Sequence, residues 1–291
     1  MDWENLRFFL AVARSGSLAA AGRQMGVIHT TVMRRVSALE KGLGSELFER
    51  HPHGYVLTLA GEELLETLQP FEEELIAVER RLAGLDQQLV GTVRIASLGP
   101  LSPWICDALV RLRAANPEMT AEVLISPAAV SIARREADIA VRVTDSPPEY
   151  LVGRRVAELA HGVYAACAHP ATQTQSEDFT VFPWLTYTDS RRDLPQARWI
   201  TEHIPPERIV LRTNHTQTLV SATRAGLGLS VLARYVGDRD PGLRCLATLR
   251  GFGLHLWLLT HQDLRRNRRV KTLMDCLAEE LLKHRSLIEG R

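Results

Sequence analysis

Residues 59–89 read LAGEELLETLQPFEEELIAVERRLAGLDQQL, with large apolar residues at Leu64, Leu68, Phe71, Leu75, Val78, Leu82, Leu85 and Leu89. The gaps alternate four and three, the heptad spacing of a helix whose narrow seam packs on a second helix. Between the seam positions stand Glu62, Glu63, Glu66, Glu72, Glu73, Glu74, Glu79 and Asp86 against Arg80 and Arg81, a net charge of −6. That face belongs in water and repels a phosphate backbone. A helix over the whole stretch spans roughly 45 Å at ~1.5 Å per residue, longer than a compact domain needs internally. The stretch is expected to be a spacer and a dimerisation rod. An amphipathic helix lying on its own core is the alternative, although such a stripe is usually broader than two positions in seven. Pro70 removes the hydrogen bond to the Glu66 carbonyl and costs ~3 kcal/mol inside a helix, so a kink or a helix start is expected there.

Upstream, the chain is punctuated like three short helices. Asp2 can cap a first helix with Leu6, Phe9, Leu10 and Ala13 inward, ending at Gly16. Ser17 then caps a second, in which Ala19, Ala20, Ala21 and Gly22 leave room for another helix to approach. Gly26 and Val27 make a turn, and a third helix follows with Val32, Val36 and Leu39 at helical spacing. Helix, tight turn and helix is the helix-turn-helix pattern, whose later helix lies in the major groove. Thr30, Thr31, Arg34 and Arg35 face outward on that helix, with His29 at its start. Arginine forks onto guanine O6 and N7, and threonine reaches phosphates or a thymine methyl. Residues 50–58 (RHPHGYVLT) read as a turn between two short strands, a wing with Arg50, His51 and His53 beside the DNA backbone, before Thr58 caps the long helix.

The run Phe8-Phe9, Gly16-Ser17, Ala20-Ala21, Thr31-Val32, Leu39-Glu40, Leu43-Gly44, Leu47-Phe48, Arg50, Leu57-Thr58 and Gly61 resembles, over about 60 residues, the DNA-binding domain of LysR-type transcriptional regulators. The resemblance implies a winged helix-turn-helix at 1–58, a linker and dimerisation helix at 59–89, and a two-lobed α/β effector-binding domain at 90–287. It implies double-stranded DNA as partner, contacted through Ser17, His29, Thr30, Thr31, Arg34, Arg35, Arg50, His51 and His53. Two departures fall in the third helix. Ile28 and His29 stand where the family carries Ser-Gln, and Met33 where a small polar residue is usual. Ile28 has no side-chain oxygen, which moves the expected cap to His29 or Thr30.

After Gly91 strands alternate with helices: strands near 93–96, 121–125, 137–142, 152–156, 162–167, 184–187, 208–212, 226–232 and 255–260, helices near 101–115, 129–135, 215–225 and 270–284. Alternation of this kind implies a mainly parallel sheet. Two lobes, 90–161 with 265–287 and 162–264, are expected to enclose a cleft, similar to periplasmic binding proteins. Ligands in such folds sit outside the carboxyl ends of strands. The resemblance carries effector contacts to Ser97, Leu98, Gly99, Pro100, Leu101, Ser126, Arg142, Thr188, Asn214, His215 and Thr216. These suit a small polar or anionic effector, and the helix start after Pro100 favours an anion. The bland readings stay open: Arg142 as a partner of a carboxylate, Ser97 as a helix cap.

The 291 residues suit two or three domains, and 45% hydrophobic content supports real cores. The net charge of +1 conceals +2 over residues 1–57 and −6 over the long helix, so arginine placement rather than total charge carries the nucleic-acid reading. Cys106, Cys167, Cys245 and Cys276 are scattered without metal spacing and read as reduced structural thiols of a cytoplasmic protein, with no cofactor or metal expected. No apolar run approaches ~18 residues and the N-terminus lacks an apolar secretion core, so no membrane partner is expected. Residues 288–291 (IEGR) read as an appended protease-recognition tail outside the fold. No G-x-S-x-G, P-loop or H-E-x-x-H occurs. The resulting expectation is a bacterial, DNA-binding, non-enzymatic regulator acting as a homodimer or homotetramer, with RNA polymerase a candidate partner. A solute-binding protein or an enzyme built on the α/β half is the alternative.

Overall fold

Asp2 starts the first helix, its Oδ1 accepting from the Glu4 N–H at 3.0 Å, and α1 (Trp3–Ser15) stops at Gly16, where φ is +63°. In this computed structural model, which describes residues 2–51, 54–125, 136–174 and 178–291, that capping logic recurs. Ser17 caps α2 (Leu18–Met25), whose Gly22 comes so close to the next turn that a Cβ there would lie 2.7 Å from the Val27 carbonyl oxygen. α3 (His29–Leu43) starts without a side-chain cap: Ile28 holds the cap position through its carbonyl, which accepts from Thr31 and Val32 N–H at 3.0 and 3.4 Å. The expected shift of the cap to His29 or Thr30 does not occur, because the backbone does the work.

Val32, Val36 and Leu39 turn inward onto Leu6, Phe9, Leu10, Val12 and Ala21. β1 (Phe48–His51) and β2 (Gly54–Leu57) form the expected antiparallel wing. The Tyr55 N–H donates to the Gly16 carbonyl at 2.9 Å, tying the wing to the α1–α2 turn. Thr58 Oγ1 accepts from the Gly61 N–H at 3.1 Å and starts α4 (Leu59–Gly84).

α4 is continuous through Pro70, so no helix starts there, and it ends at Gly84 rather than at residue 89. Its 26 residues measure roughly 39 Å. The heptad seam is divided among three environments. Leu68 is buried, and Leu64 packs with it, in the core of the first unit; Leu89 packs on the core of the second, and Leu85 and Leu89 lie past the helix. Phe71, Leu75, Val78 and Leu82 remain exposed. With Leu85, exposed just past the helix, these five of the eight seam residues lie outside the chain's own buried cores, Phe71 with its ring edge-on to Trp3 at 5.8 Å.

The chain divides into two compact units, Met1–Glu79 and Arg80–Arg291. In order, the second holds β3 (Gly91–Ser97), α5 (Ser102–Ala115), β4 (Met119–Ile125), β5 (Ile139–Thr144), β6 (Leu151–Glu158) and β7 (His161–Ala166). There follow β8 (Trp184–Tyr187), α6 (Pro195–His203), β9 (Ile209–Thr213), α7 (Thr216–Arg224), β10 (Ser230–Ala233) and α8 (Arg234–Gly237). β11 (Leu243–Leu249), β12 (His255–His261), α9 (Arg268–Lys283) and α10 (Arg285–Ile288) complete it. One sheet has the order β4-β3-β5-β12-β6; a second lobe is built on β10-β7-β11 and the pair β8-β9. The sheets are mixed rather than mainly parallel. β3 runs parallel to β4 and β5, but β12 is antiparallel to β5 and β6, and β7 is antiparallel to both its neighbours.

Three sequence expectations change here. β12 sits inside the first sheet, with Leu256, Leu258 and Leu259 buried, so 255–264 goes with the first lobe and not the second. α6 and β11 had no counterpart in the sequence reading. The supposed tail is part of the fold: Ile288 is fully buried in the first-lobe core, its carbonyl accepts from the Ala160 N–H at 3.0 Å, and Glu289 pairs with Arg285 at 2.9 Å. The expected helix at 129–135 lies outside the described residues. Among those described, no helix is long and apolar enough to cross a membrane.

Candidate nucleic-acid interface and ligand cleft

Helical spacing sorts the side chains of α3. With Val32, Val36 and Leu39 buried, the opposite face presents Thr30, Met33, Arg34 and Ser37, all exposed, at successive i, i+3, i+4 and i+7 positions. His29 is exposed at the helix start. Thr31 and Arg35 are half-buried at the flank. Arg35 is engaged with α1: its Nη1 donates to Asn5 Oδ1 at 3.4 Å and lies 3.8 Å from Asp2 Oδ2. Ser17 caps α2, its Oγ accepting from the Ala20 N–H at 3.5 Å. Of the expected DNA contacts, the structure therefore brings Thr30 and Arg34 to the centre of the outward face. It turns Arg35 toward α1 and gives Ser17 a structural bond. Arg50 and His51 are exposed on β1, where His51 Nε2 lies 3.3 Å from Glu49; His53 lies outside the described residues. Met33, which stands where the family resemblance implies a small polar, phosphate-bonding residue, shares the centre of the face.

The second unit holds a cavity of about 600 Å³ between its lobes. Of the residues expected to contact an effector, Ser97, Leu98, Gly99, Pro100, Arg142, Asn214, His215 and Thr216 line it. Leu101 does not: it is wholly buried in the first-lobe core, because the turn Gly99–Leu101 points it inward as α5 begins. Thr188 does not line it either; its hydroxyl is bonded to Ser190 at 3.0 Å. Ser126 lies outside the described residues.

Residues that the sequence did not single out complete the cavity: Leu159, His161, Tyr187, Arg191, Gln196 and Arg198 among them. Those on α6 were signalled by Leu194-Pro195, a proline at the first helical position. His161 was not, since it opens a strand that is buried throughout. In the second lobe the Arg191 guanidinium sits 5.1 Å from the Tyr187 ring centre and donates to the Asn214 carbonyl at 3.2 Å, while the Tyr187 and Thr216 hydroxyls share a hydrogen bond of 3.1 Å.

Three helical segments begin at the cavity wall: the turn Gly99–Leu101 leading into α5, then α6 and α7. None has a side-chain cap. Their first-turn N–H groups carry partial positive charge, although Pro100 and Pro195 contribute none and the Leu101 and Ala197 N–H groups donate to the Leu98 and Leu194 carbonyls. Arg142, Arg191 and Arg198 add whole charges to the same wall, against Asp145 and Asp193. Burial lowers the Arg142 guanidinium from its ordinary value, with the Tyr150 hydroxyl acting the other way. Burial also pushes the His161 imidazole down to about 4, although a bond to the Leu159 backbone opposes this. Ser97 Oγ, His161 Nδ1 and Gln196 Oε1 are shielded from water and make no hydrogen bond to the described residues.

Comparison with known proteins agrees with both halves. A family model described as "Bacterial regulatory helix-turn-helix protein, lysR family" matches residues 3–62, and one described as "LysR substrate binding domain" matches residues 86–282. The chain is 27% identical over 275 residues to the Mau operon transcriptional activator of Paracoccus denitrificans, covering 91% of each protein. It is 25% identical over 288 residues to the HTH-type transcriptional regulator CbbR of Xanthobacter flavus, covering 94% of this chain and 86% of that one. Its fold is similar to the full-length structure of the Vibrio cholerae virulence activator AphB, with a TM-score of 0.64 at 18% identity over 96% of this chain and 99% of that one.

Proposed function

The chain belongs to the LysR family of bacterial DNA-binding transcriptional regulators, and we propose that it works as a homodimer or dimer of dimers whose outward α3 faces read duplex DNA under control of a small anionic effector. The observation that carries the effector class is the convergence of three uncapped helix starts and of Arg142, Arg191 and Arg198 on one cavity. Helix N-termini and guanidinium groups both favour carboxylate or phosphate. The volume of about 600 Å³ suits a small molecule and not a peptide.

Pairing is supported by the exposed run Phe71, Leu75, Val78 and Leu82 on α4, whose three-and-four spacing fits a second copy of the same helix. Two copies related by a dyad set two α3 helices one or more helical turns apart on a dyad-symmetric site. Effector binding that closes the lobes then shifts the balance between arrangements of the subunits.

A thermal-shift titration of the full chain against a panel of small mono- and dicarboxylates tests the effector reading. A rise in melting temperature that grows with ligand concentration is expected for at least one of them. A flat response across the panel, with melting unchanged by inorganic phosphate as well, would remove the anionic effector from the account while leaving DNA binding intact.

A further inference from the structure

We infer that α3 reads thymine methyl groups, through Met33 and Ile28, in addition to any hydrogen-bonded contact made by Thr30 and Arg34. The inference rests on α3 being the element that enters the groove. Met33 is 46% exposed at the centre of the outward face, one turn from Thr30 and next to Arg34. Ile28 is 69% exposed at the start of the same helix. The N-terminal residues of a recognition helix are those that meet base edges.

Neither side chain has a structural task that explains it. Val32, Val36 and Leu39 supply the core contacts of α3, and the cap at Ile28 is made by its carbonyl alone. Single exposed apolar residues need no explanation on an ordinary surface. Here Met33 stands on the face that Thr30 and Arg34 mark for DNA and Ile28 stands exposed at the head of the same helix, and the major groove offers apolar surface of its own only at the thymine C5-methyl. A thioether and an isoleucine side chain cannot read donors or acceptors. They can bury a methyl, and removing one buried methyl costs about 0.8 kcal/mol, which is roughly four-fold in affinity.

The test uses the full chain and a duplex selected by it from a randomised pool. Each thymine of a half-site is replaced in turn by deoxyuridine, which removes the methyl and keeps the pairing. The expected result is a loss of about four-fold at one or two positions of each half-site, and its disappearance in Met33→Ser or Ile28→Ser. Both substitutions fall on exposed positions, and Ile28→Ser offers a hydroxyl cap, so folding is preserved. Met33→Leu, which keeps the apolar surface, retains the sensitivity. A selected half-site without thymine would overturn the inference. So would uridine duplexes bound as tightly as thymine ones, or a uridine penalty unchanged in both serine variants. Arg34→Ala serves as the control for groove entry itself: it weakens thymine and uridine duplexes alike.

Discussion

The Arg35 guanidinium lies 3.8 Å from the Asp2 carboxylate, and the other oxygen of that carboxylate accepts from the Glu4 N–H at 3.0 Å. One aspartate therefore starts α1 and braces α3. Arg34, the preceding residue in the chain, lies roughly 100° round the helix and is exposed. Adjacent arginines thus have different work. Arg34→Ala is expected to cost ~1–3 kcal/mol of DNA binding, as for an arginine that meets a base edge. Arg35→Ala is expected to cost less than that in binding and under ~1 kcal/mol in stability, since its ion pair is partly solvated. Gel-shift titrations beside melting curves separate the two. Arg35→Ala weakening DNA binding more than Arg34→Ala would reverse the assignment.

The division of the α4 seam makes a second pair of variants informative. Leu75 is 38% exposed and Leu68 only 7%. Leu75→Asp is expected to reduce the assembly to monomers while the first unit still melts near its native temperature. Leu68→Ala removes core contacts and is expected to cost ~2–5 kcal/mol of stability in that unit. Light scattering and thermal denaturation read the two effects. An unchanged mass for Leu75→Asp would show that the exposed seam is not what joins the copies.

Much of the first unit was legible because its signals are local. Asp2, Ser17 and Thr58 caps, and Gly16, Gly26 and Gly44 with positive φ, mark helix ends by backbone chemistry that needs no tertiary context. The α4 seam shows the limit. Heptad spacing says that Leu64, Leu68 and Leu89 face something apolar, but not whether it is a partner or the chain's own core. The cleft follows the same rule. Ser97, Arg142 and Asn214 are readable at strand ends, whereas His161 reaches the cavity through a buried strand that gives no polar pattern. The lobe boundary expected at 264 falls before β12, because the strand's long-range pairing with β5 and β6 leaves no local mark.

The C-terminal residues were misread for the opposite reason, a local pattern that looked complete in itself. IEGR matches a protease site, yet Ile288 is 0% exposed and packs among the first-lobe core residues. Ile288→Ala is expected to destabilise the second unit by ~2–5 kcal/mol, the range for a buried isoleucine cut to alanine. Urea unfolding followed by tryptophan fluorescence measures it. A change below ~0.5 kcal/mol would return residues 288–291 to the status of an appendage.

His161 sets the pH dependence to expect of the second unit. Its imidazole is held at about 4 in the folded chain, below the ordinary 6.5, mainly because burial penalises the charged form. Between those values the unfolded chain binds the extra proton and the folded chain does not. Stability is therefore full above about pH 6.5 and falls as the pH drops toward 4. For this one group the loss between pH 7 and pH 5 is roughly 2 kcal/mol, from ~1.4 kcal/mol per pH unit over the part of the window crossed. His169, also lowered by burial, contributes in the same direction, so the informative quantity is a difference between proteins. His161→Gln, which cannot take up the proton, is expected to lose less stability than the native chain between pH 7 and pH 5, by roughly that amount. Urea unfolding at the two pH values measures both. Equal losses in the two proteins would mean that His161 is already charged, or already solvated, in the folded state.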